Sequence, residues 1–376
     1  MADSPRARTV VGCMSGTSAD GIDAAAVRIS GHGLDARHET IAFASVPYGS
    51  LAEPVRALQR GAAMSAADIA SLSRELALLH ADLILGMAPR AGRPDLVVMH
   101  GQTIHHAPPV SWQLASPAVV AAALDCDVMS DLRAADLAEG GQGAPITPLA
   151  DWLLMRDRSD SPRTRAIINL GGFCNATMLP ACAPPESIKG FDVCLCNQLL
   201  DHACVSRTGH PFDDGGARAL RGSADAAISS RVAQHLASQH GVGRSLGSAH
   251  ECIGLAELAA GLGPEDALAT IADAIAHAIA QVVGGYAAAD WFAAGGGARN
   301  AALMRALAQR AAARGATLDT TDALGVATQA REAIAMAALG AAARDGACIT
   351  LEAVTGRRAR RVLDGAFTRS HRIFTI

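Results

Sequence analysis

Near its start the chain carries an apolar, β-prone run, TVVGCM, then a small-residue turn, SGTSADG, then a second apolar run, IDAAAVRI (residues 9–29). The same order returns at 164–179 in TRAIINLGGFCNATML, again two apolar runs around a glycine-centred turn. Each copy reads as strand, tight turn, strand. A repeated supersecondary unit of this kind constrains the fold more than any other feature of the sequence, because neither copy can bury both faces of its sheet alone.

The segments after each copy support the parallel. After the first, ETIAFASVPY supplies a third strand, and apolar Ile69, Leu72, Leu76, Leu79 and Leu83 recur at helical spacing within 62–88. PDLVVMHGQTIHH reads as a buried strand ending in a loop, and WQLASPAVVAAALDCDVMSDLR as a helix feeding a short strand, for a βββαβαβ order. After the second copy, a third short strand is expected at SIKGFDV and a helix over 263–288. ADWFAAGGGARNAALMRALAQRAAA then reads as strand, triple glycine and helix, and the 318–346 segment ends in another helix. The prediction is a duplicated α/β protein in which two turns of small residues and backbone N–H groups grip a polyphosphate.

Composition narrows the function. At 376 residues the chain suits two domains. Half of it is apolar but only 3% aromatic, which predicts cores of Ala, Leu, Val and Ile and argues against a stacking surface for single-stranded nucleic acid. A net charge of −4 with no broad basic patch argues against nucleic acid and anionic membrane as partners. The one basic run, GRRARR (356–361), reads as a solvated surface segment. The N-terminus lacks the apolar region of a secretory signal. The Ala-rich 267–289 stretch is interrupted by Asp273, His277 and Gln281, so no membrane span is expected, and a cytoplasmic protein is. Nine cysteines without an export signal are expected to be free thiols.

Several stretches can carry chemistry. In SGTSADGID, Gly16 and Gly21 let backbone approach a ligand, Thr17 and Ser18 can donate to phosphate oxygens, and Asp20 and Asp23 can hold magnesium; a plain β-turn is the alternative. GGGARN, with Gly295, Gly296 and Gly297, opens a helix where a nucleotide can pass close to backbone. SDLRAADLAEGGQGAPITP fits a polar, hydroxylated ligand or an interdomain linker. HGQTIHH puts three histidines in seven residues, for a metal or for hydrogen bonds to a ligand or to backbone. GFDVCLCNQLLD sets Asp192 ahead of Cys194 and Cys196, which leaves a metal site, a redox pair or a catalytic acid.

Taken together, MSGTSADGIDAA, HGQTIHH, SDLRAADLAEGGQGAP, NLGGFCNAT, the Asp192–Asn197–Asp201 pattern and GGGARN resemble, in order, the anhydro-N-acetylmuramic acid kinases of the actin-like, sugar-kinase and heat-shock-ATPase superfamily. The resemblance implies a two-lobed, duplicated RNase-H-like α/β fold with an interlobe cleft, one lobe formed by 1–147 and about 360–376 and the other by 148–359. It implies ATP and Mg2+, a homodimer, and ring opening of a 1,6-anhydro sugar by water with phosphorylation of O6, in peptidoglycan recycling. Gly16 to Asp23, including Ala19 and Ile22, would form the ATP phosphate loop, with Asp20 and Asp23 at the metal. Gly171, Gly172 and Gly295–Gly297 would meet the nucleotide. Gln102, Thr103, Arg133, Asp136 and Asn175 would bind the sugar. Asp192 would be the base for the attacking water, and Glu332 a second acid near the sugar. Where the family has Thr-Gly-Pro-Gly after the aspartate, this chain has Val193-Cys194-Leu195-Cys196, so any left-handed backbone there would be strained. Ala107 replaces a usual arginine, and GVGRSLGSAHE (241–251) lacks a usual lysine. A kinase of another anhydro sugar, such as levoglucosan, and a non-catalytic binding paralogue are the alternatives.

Overall fold

A computed structural model of the protein describes residues 7–16, 18–160, 162–239, 249–286, 290–359 and 362–370. The chain divides into two compact units, Met1–Met155 with Ala330–Ile376, and Arg156–Gln329.

The first unit opens with β1 (Arg8–Met14), β2 (Gly21–Ser30) and β3 (Arg37–Pro47), an antiparallel meander. Helices α1 (Ala52–Gln59) and α2 (Ala66–Ala91) come next. The periodic 62–88 segment thus becomes α2, started by Ser65, whose hydroxyl accepts from the Asp68 N–H, and ended at Gly92 with φ +70°. The unit continues with β4 (Leu96–Met99), β5 (Gln102–Ala107), β6 (Val110–Leu114), α3 (Pro117–Leu124), β7 (Val128–Ser130), α4 (Ala134–Ala138) and α5 (Pro148–Met155). HGQTIHH does not end in a simple loop: it enters β5, which pairs with β6 as a separate two-stranded sheet.

The second unit contains β8 (Arg165–Leu170), β9 (Phe173–Leu179), β10 (Lys189–Leu195), α6 (Asn197–Thr208), α7 (Ala226–Ala237), α8 (Ala249–Glu257), α9 (Pro264–Gly284), β11 (Asp290–Ala294), α10 (Ala301–Ala312) and β12 (Thr317–Thr320). The chain then returns to the first unit with α11 (Arg331–Arg344), α12 (Glu352–Thr355) and β13 (Ala366–Thr368).

The duplication is visible in strand order. The first sheet runs β13-β7-β4-β1-β2-β3 and the second β10-β9-β8-β11-β12. Leaving out β13, both read as third, second, first, fourth, fifth strand of their copy, with the fourth parallel to the first. Each unit thus carries the RNase-H-like strand order expected of the duplicated fold. In both copies the parallel strands end on the edge where the glycine turn lies, the edge at which open α/β sheets bind ligands.

Three expectations change. Pro148–Met155 and Ala330–Ala359 belong to the first unit, not to the 148–359 lobe. The reason is packing: α11 lies on β1 and is tied to α5 by a buried ion pair between Arg331 and Asp151. Helix α9 is long and apolar enough, by length and composition, to cross a membrane, yet fourteen of its residues are buried, twelve of them in the second unit's core. Its Asp273 accepts from the Ser229 hydroxyl and the Arg310 guanidinium within that unit. Finally, GRRARR is not all solvated surface. Arg357 is 2% exposed and forms ion pairs with Glu139 at 2.6 Å and Asp364 at 2.7 Å. Arg360 and Arg361 lie outside the described residues.

Candidate active site

In the first unit β1, β4 and β7 run parallel, so Met14, Met99 and Ser130 end on one edge. The loops 15–20, 100–101 and 131–133 open there. The first is closed by its own backbone: Ala19 N–H donates to the Gly16 carbonyl at 3.2 Å, and Tyr48 N–H to the Asp20 carbonyl at 2.9 Å. Ala19 takes a left-handed φ of +51° and is fully buried, as is Ile22, so these two can offer a ligand only backbone. Ser18 and Asp20 are exposed, with the Ser18 hydroxyl donating to Asp20 at 2.9 Å. Asp23 is half-buried on β2, its carboxyl pushed up by burial and by the charge of Asp20, against a hydrogen bond from Ser45. Thr17 lies outside the described residues.

Gln102 does not face a ligand. It is 1% exposed; its carbonyl accepts from the Tyr48 hydroxyl at 2.7 Å and its amide donates to the Gly16 carbonyl at 3.1 Å. It is a brace for the glycine loop, and the expectation that it contacts sugar is corrected on that ground. Thr103 beside it stays half-exposed.

Arg133 is held by the first histidine of HGQTIHH. Its Nε and Nη2 point at His100 Nε2 at 3.1 and 2.9 Å, and its Nη1 donates to the Gly143 carbonyl. The other His100 nitrogen faces the Gly101 carbonyl at 2.8 Å, so the ring is the neutral Nδ1–H tautomer with Nε2 accepting. Burial, then the Arg133 charge, pull His100 down to about 3. Burial draws Arg133 down to about 10, while Glu332 and Asp136 oppose the fall. Glu332 therefore shares a local field with Arg133.

Asp136 is corrected as Gln102 is. It is fully buried and accepts from Gly143 N–H and from the Thr355 hydroxyl, each at 2.6 Å. It shapes the 137–143 loop from within. The three histidines do not converge: His100 is buried, His105 exposed, and His106 faces the Ser111 hydroxyl at 2.9 Å. Among the described residues no three His, Cys, Asp or Glu side chains could hold a metal together.

A cavity of about 530 Å³ opens between the β5–β6 hairpin and α4, with Ser111, Gln113 and Asp131 as polar walls and Val110 and Leu137 as apolar ones. That volume suits a small ligand. Asp131 at its wall takes a φ of +56°, a sparsely populated conformation for a non-glycine residue and one that concentrates at functional sites.

In the second unit Asp192 and Asn175 face each other across the β10–β9 pair. The register then shifts between Asp192 and Cys194. A β-bulge of this kind re-aims side chains. Here it leaves Asp192 half-exposed while Val193, Cys194, Leu195 and Cys196 are all fully buried. None of these four has a positive φ, so the strain expected from losing two glycines does not arise. The glycine turn is tied to the start of α6: Cys196 N–H donates to the Gly172 carbonyl and Asn197 N–H to the Gly171 carbonyl, both at 3.0 Å. Asn197 Nδ2 donates to the Leu170 carbonyl at 3.0 Å. Gly295 takes a φ of +82°, and a Cβ there would sit 2.8 Å from Asn169 Oδ1. A Cβ at Gly297 would sit 2.7 Å from Asn197 Oδ1 and 2.8 Å from Leu170 Cβ. Asp192, Asn175, Gly171, Gly172 and Gly295–Gly297 thus gather at the ends of β8, β10 and β11.

The family model for anhydro-N-acetylmuramic acid kinase matches residues 8–369. The chain belongs to this family. Among curated anhydro-N-acetylmuramic acid kinases, that of Synechococcus sp. is 35% identical over 94% of this chain and 97% of its own length. That of Bordetella parapertussis is 37% identical over 96% of each chain. Among solved structures, the activator of the 2-hydroxyisocaproyl-CoA dehydratase from Clostridium difficile with bound ADPNP aligns with a TM-score of 0.47 and 13% identity, over 90% of this chain and 96% of that one. As a member of the anhydro-N-acetylmuramic acid kinase family, the chain is an ATP-using phosphotransferase that acts on a sugar.

For a member of this kinase family, residue types alone did not single out Tyr48 or the His100–Arg133 pairing, since neither carries a motif. The signal for His100 was its place in HGQTIHH. The thiols of this kinase beside Asp192 are inert: burial drives Cys194 and Cys174 well up and Cys196 to about 12. Seven of its nine cysteines are buried, Cys182 is exposed and Cys348 half-buried. Mass spectrometry after brief alkylation of the folded enzyme is expected to find Cys182 and Cys348 modified and the other seven intact. Early labelling of Cys194 or Cys196 would reinstate a redox reading.

Two buried histidines set an acid limit on stability. His100 is held down to about 3 and His80 to about 4, both chiefly by burial. The unfolded chain binds these protons near pH 6.5, so folded-state stability falls as pH drops from about 6.5 towards 4. Denaturant midpoints across that range are expected to slope downward with acid, and His80→Phe should flatten the slope by one proton. An unchanged slope would mean that His80 already takes up its proton in the folded protein.

Proposed function

We propose that the enzyme opens 1,6-anhydro-N-acetylmuramic acid with water and phosphorylates its O6 with ATP, giving N-acetylmuramic acid 6-phosphate and ADP. The observation that carries this reading is Asp192, half-exposed beside Asn175 on a bulged strand that ends where Gly171, Gly172 and Gly295–Gly297 gather. A carboxylate there can take the proton of the water that attacks the anomeric carbon. Cleavage of the anhydro bond leaves its electron pair on O6, and O6 attacks the γ-phosphorus as ADP departs. Asn175 orients the water or the base. Arg133, fixed by His100, and Glu332 meet the sugar's polar groups, and the 530 Å³ cavity by Ser111, Gln113 and Asp131 takes its substituents.

Backbone N–H groups of the 16–23 loop and of the two glycine turns bind the phosphates; positioning and charge stabilisation are most of the work in phosphoryl transfer. Asp20 and Asp23 suit a magnesium ion, which is usually held by one or two carboxylates plus substrate phosphates and supplies neutralising charge. Two nearby carboxylates, one of them pushed up by burial, form a donor set that a divalent cation relieves.

The test incubates the pure protein with Mg-ATP and the anhydro sugar, following ADP and product mass. Sugar-dependent ADP with a product heavier by one phosphate and one water supports the reading. No turnover on that sugar, with turnover on levoglucosan, would move the substrate to a smaller anhydro sugar.

A further inference from the structure

Helix α11 has an unusual surface. Of its fourteen residues only Glu332 and Arg344 escape burial, and eight of the others, all between 333 and 343, are alanine or glycine. Apolar burial is non-directional. Ile334, Met336 and Leu339 are its three large buried apolar side chains, so most of the surface that seats α11 is small and smooth and resists rotation only weakly. The glycines on its path set its depth: a Cβ at Gly12 would lie 2.1 Å from the Ala333 carbonyl, and one at Gly340 2.1 Å from Val98. Depth alone does not choose a rotation.

At the C-terminal end Arg344 donates to the Asp95 carbonyl at 2.9 Å and Asp345 accepts from the Gly33 N–H at 2.7 Å, neither contact fully buried. The fully buried directional contact is at the N-terminal end, next to Glu332. Arg331 Nε donates to Asp151 Oδ1 at 3.0 Å, and Nη2 donates to Oδ1 and Oδ2 at 2.6 and 2.5 Å. The two side chains are 1% and 0% exposed. Arg331 Nη1 is buried without a hydrogen-bond partner. A fully buried ion pair of this kind adds little net stability over an apolar pair of the same size, but its fork geometry specifies one orientation. Asp151 sits on α5, where seven of eight residues are buried, so the anchor does not move. Arg331 immediately precedes Glu332, and fixing the azimuth of one fixes that of the other.

We propose that the Arg331–Asp151 pair is a positioning device that sets the rotation of α11 and thereby aims the Glu332 carboxylate beside Arg133. The proposal rests on the reading of Glu332 as the second acid near the sugar. The pair touches no substrate; it acts through Glu332.

The test compares Arg331→Met/Asp151→Leu, Glu332→Gln, and the triple variant, by melting, KM for ATP and kcat. The apolar pair is expected to keep the fold and the KM for ATP while kcat falls about 30- to 100-fold, the scale of a small misplacement of a reacting group. The triple variant is expected to be no slower than Glu332→Gln alone, because the pair has nothing left to aim. Arg8→Met, which removes the Arg8–Asp345 ion pair at the other end of α11 about 20 Å away while Asp345 keeps the Gly33 N–H, should leave kcat unchanged. Wild-type kcat in a folded Arg331→Met/Asp151→Leu enzyme, with Glu332→Gln impaired, overturns the positioning role and leaves Glu332 in place. Wild-type kcat in Glu332→Gln shows instead that the reading of Glu332 is what fails. Should the double variant not fold, Arg331→Lys keeps the charge and loses the fork; full kcat in it overturns the proposal as well.

Discussion

Asp192→Asn is expected to lower kcat by about 10³-fold while ATP still binds. Positioned general bases contribute on the order of 10²–10⁴-fold. Asparagine keeps the size and planarity of the side chain opposite Asn175 but cannot accept the water's proton. The groups assigned to the nucleotide are backbone atoms at Gly171, Gly172 and Gly295–Gly297, and the substitution leaves their hydrogen bonds through Cys196 and Asn197 unchanged. Single-turnover rates and nucleotide titration on the same sample separate the two effects. A rate within tenfold of wild type would place the base elsewhere. Loss of ATP binding together with rate would mean that Asp192 holds the glycine turns rather than the water.

The duplicated architecture was readable because strands and turns announce themselves locally. Apolar runs such as VVGCM and AIINL, each closed by glycine, encode both sheets without reference to anything distant. The unit boundary was not readable. Helices α5 and α11 look in sequence like any buried helix; what assigns both to the first unit is the seating of α11 on β1 and β2, with α5 tied to α11 by an Arg331–Asp151 bond that spans 180 residues. The site shows the same divide. The motif order pointed to Asp192 and Asn175 separately, and only the β10–β9 register sets them opposite each other. Residue type misplaced Gln102 and Asp136, because an amide or carboxylate in a polar loop gives no sign of whether its hydrogen bonds go outward to a ligand or inward to Tyr48, Gly16, Gly143 and Thr355. Charge counting failed on Arg357 for the same reason. The Val-Cys-Leu-Cys segment looked damaging when judged by its missing glycines. The bulge after Asp192 shows how four apolar residues can turn inward there without any of them taking a positive φ.

Gly12→Ala is expected to be among the most destabilising single-methyl changes in the protein, costing about 3 kcal/mol or more. Overpacking by one methylene commonly costs about 1–3 kcal/mol when side chains can yield. Here they cannot. The added Cβ would lie 2.1 Å from the Ala333 carbonyl oxygen and 2.3 Å from the Ala337 nitrogen, the two ends of one turn of α11. It would enter the helix backbone itself, and β1 cannot retreat because β2 and β4 pair with it on either side. Gly86→Ala in α2 is the contrast: its Cβ would meet nothing within 4 Å, and removing a mid-helix glycine should stabilise by about 0.5–1 kcal/mol. Urea midpoints of the two variants should therefore move in opposite directions from wild type. If Gly12→Ala unfolds within about 0.5 kcal/mol of wild type, α11 lifts off β1 freely. Its seat would then owe little to the glycine. The size of this one shift thus measures how firmly close packing at Gly12 seats α11 on β1, while the Arg331–Asp151 variants measure its orientation separately.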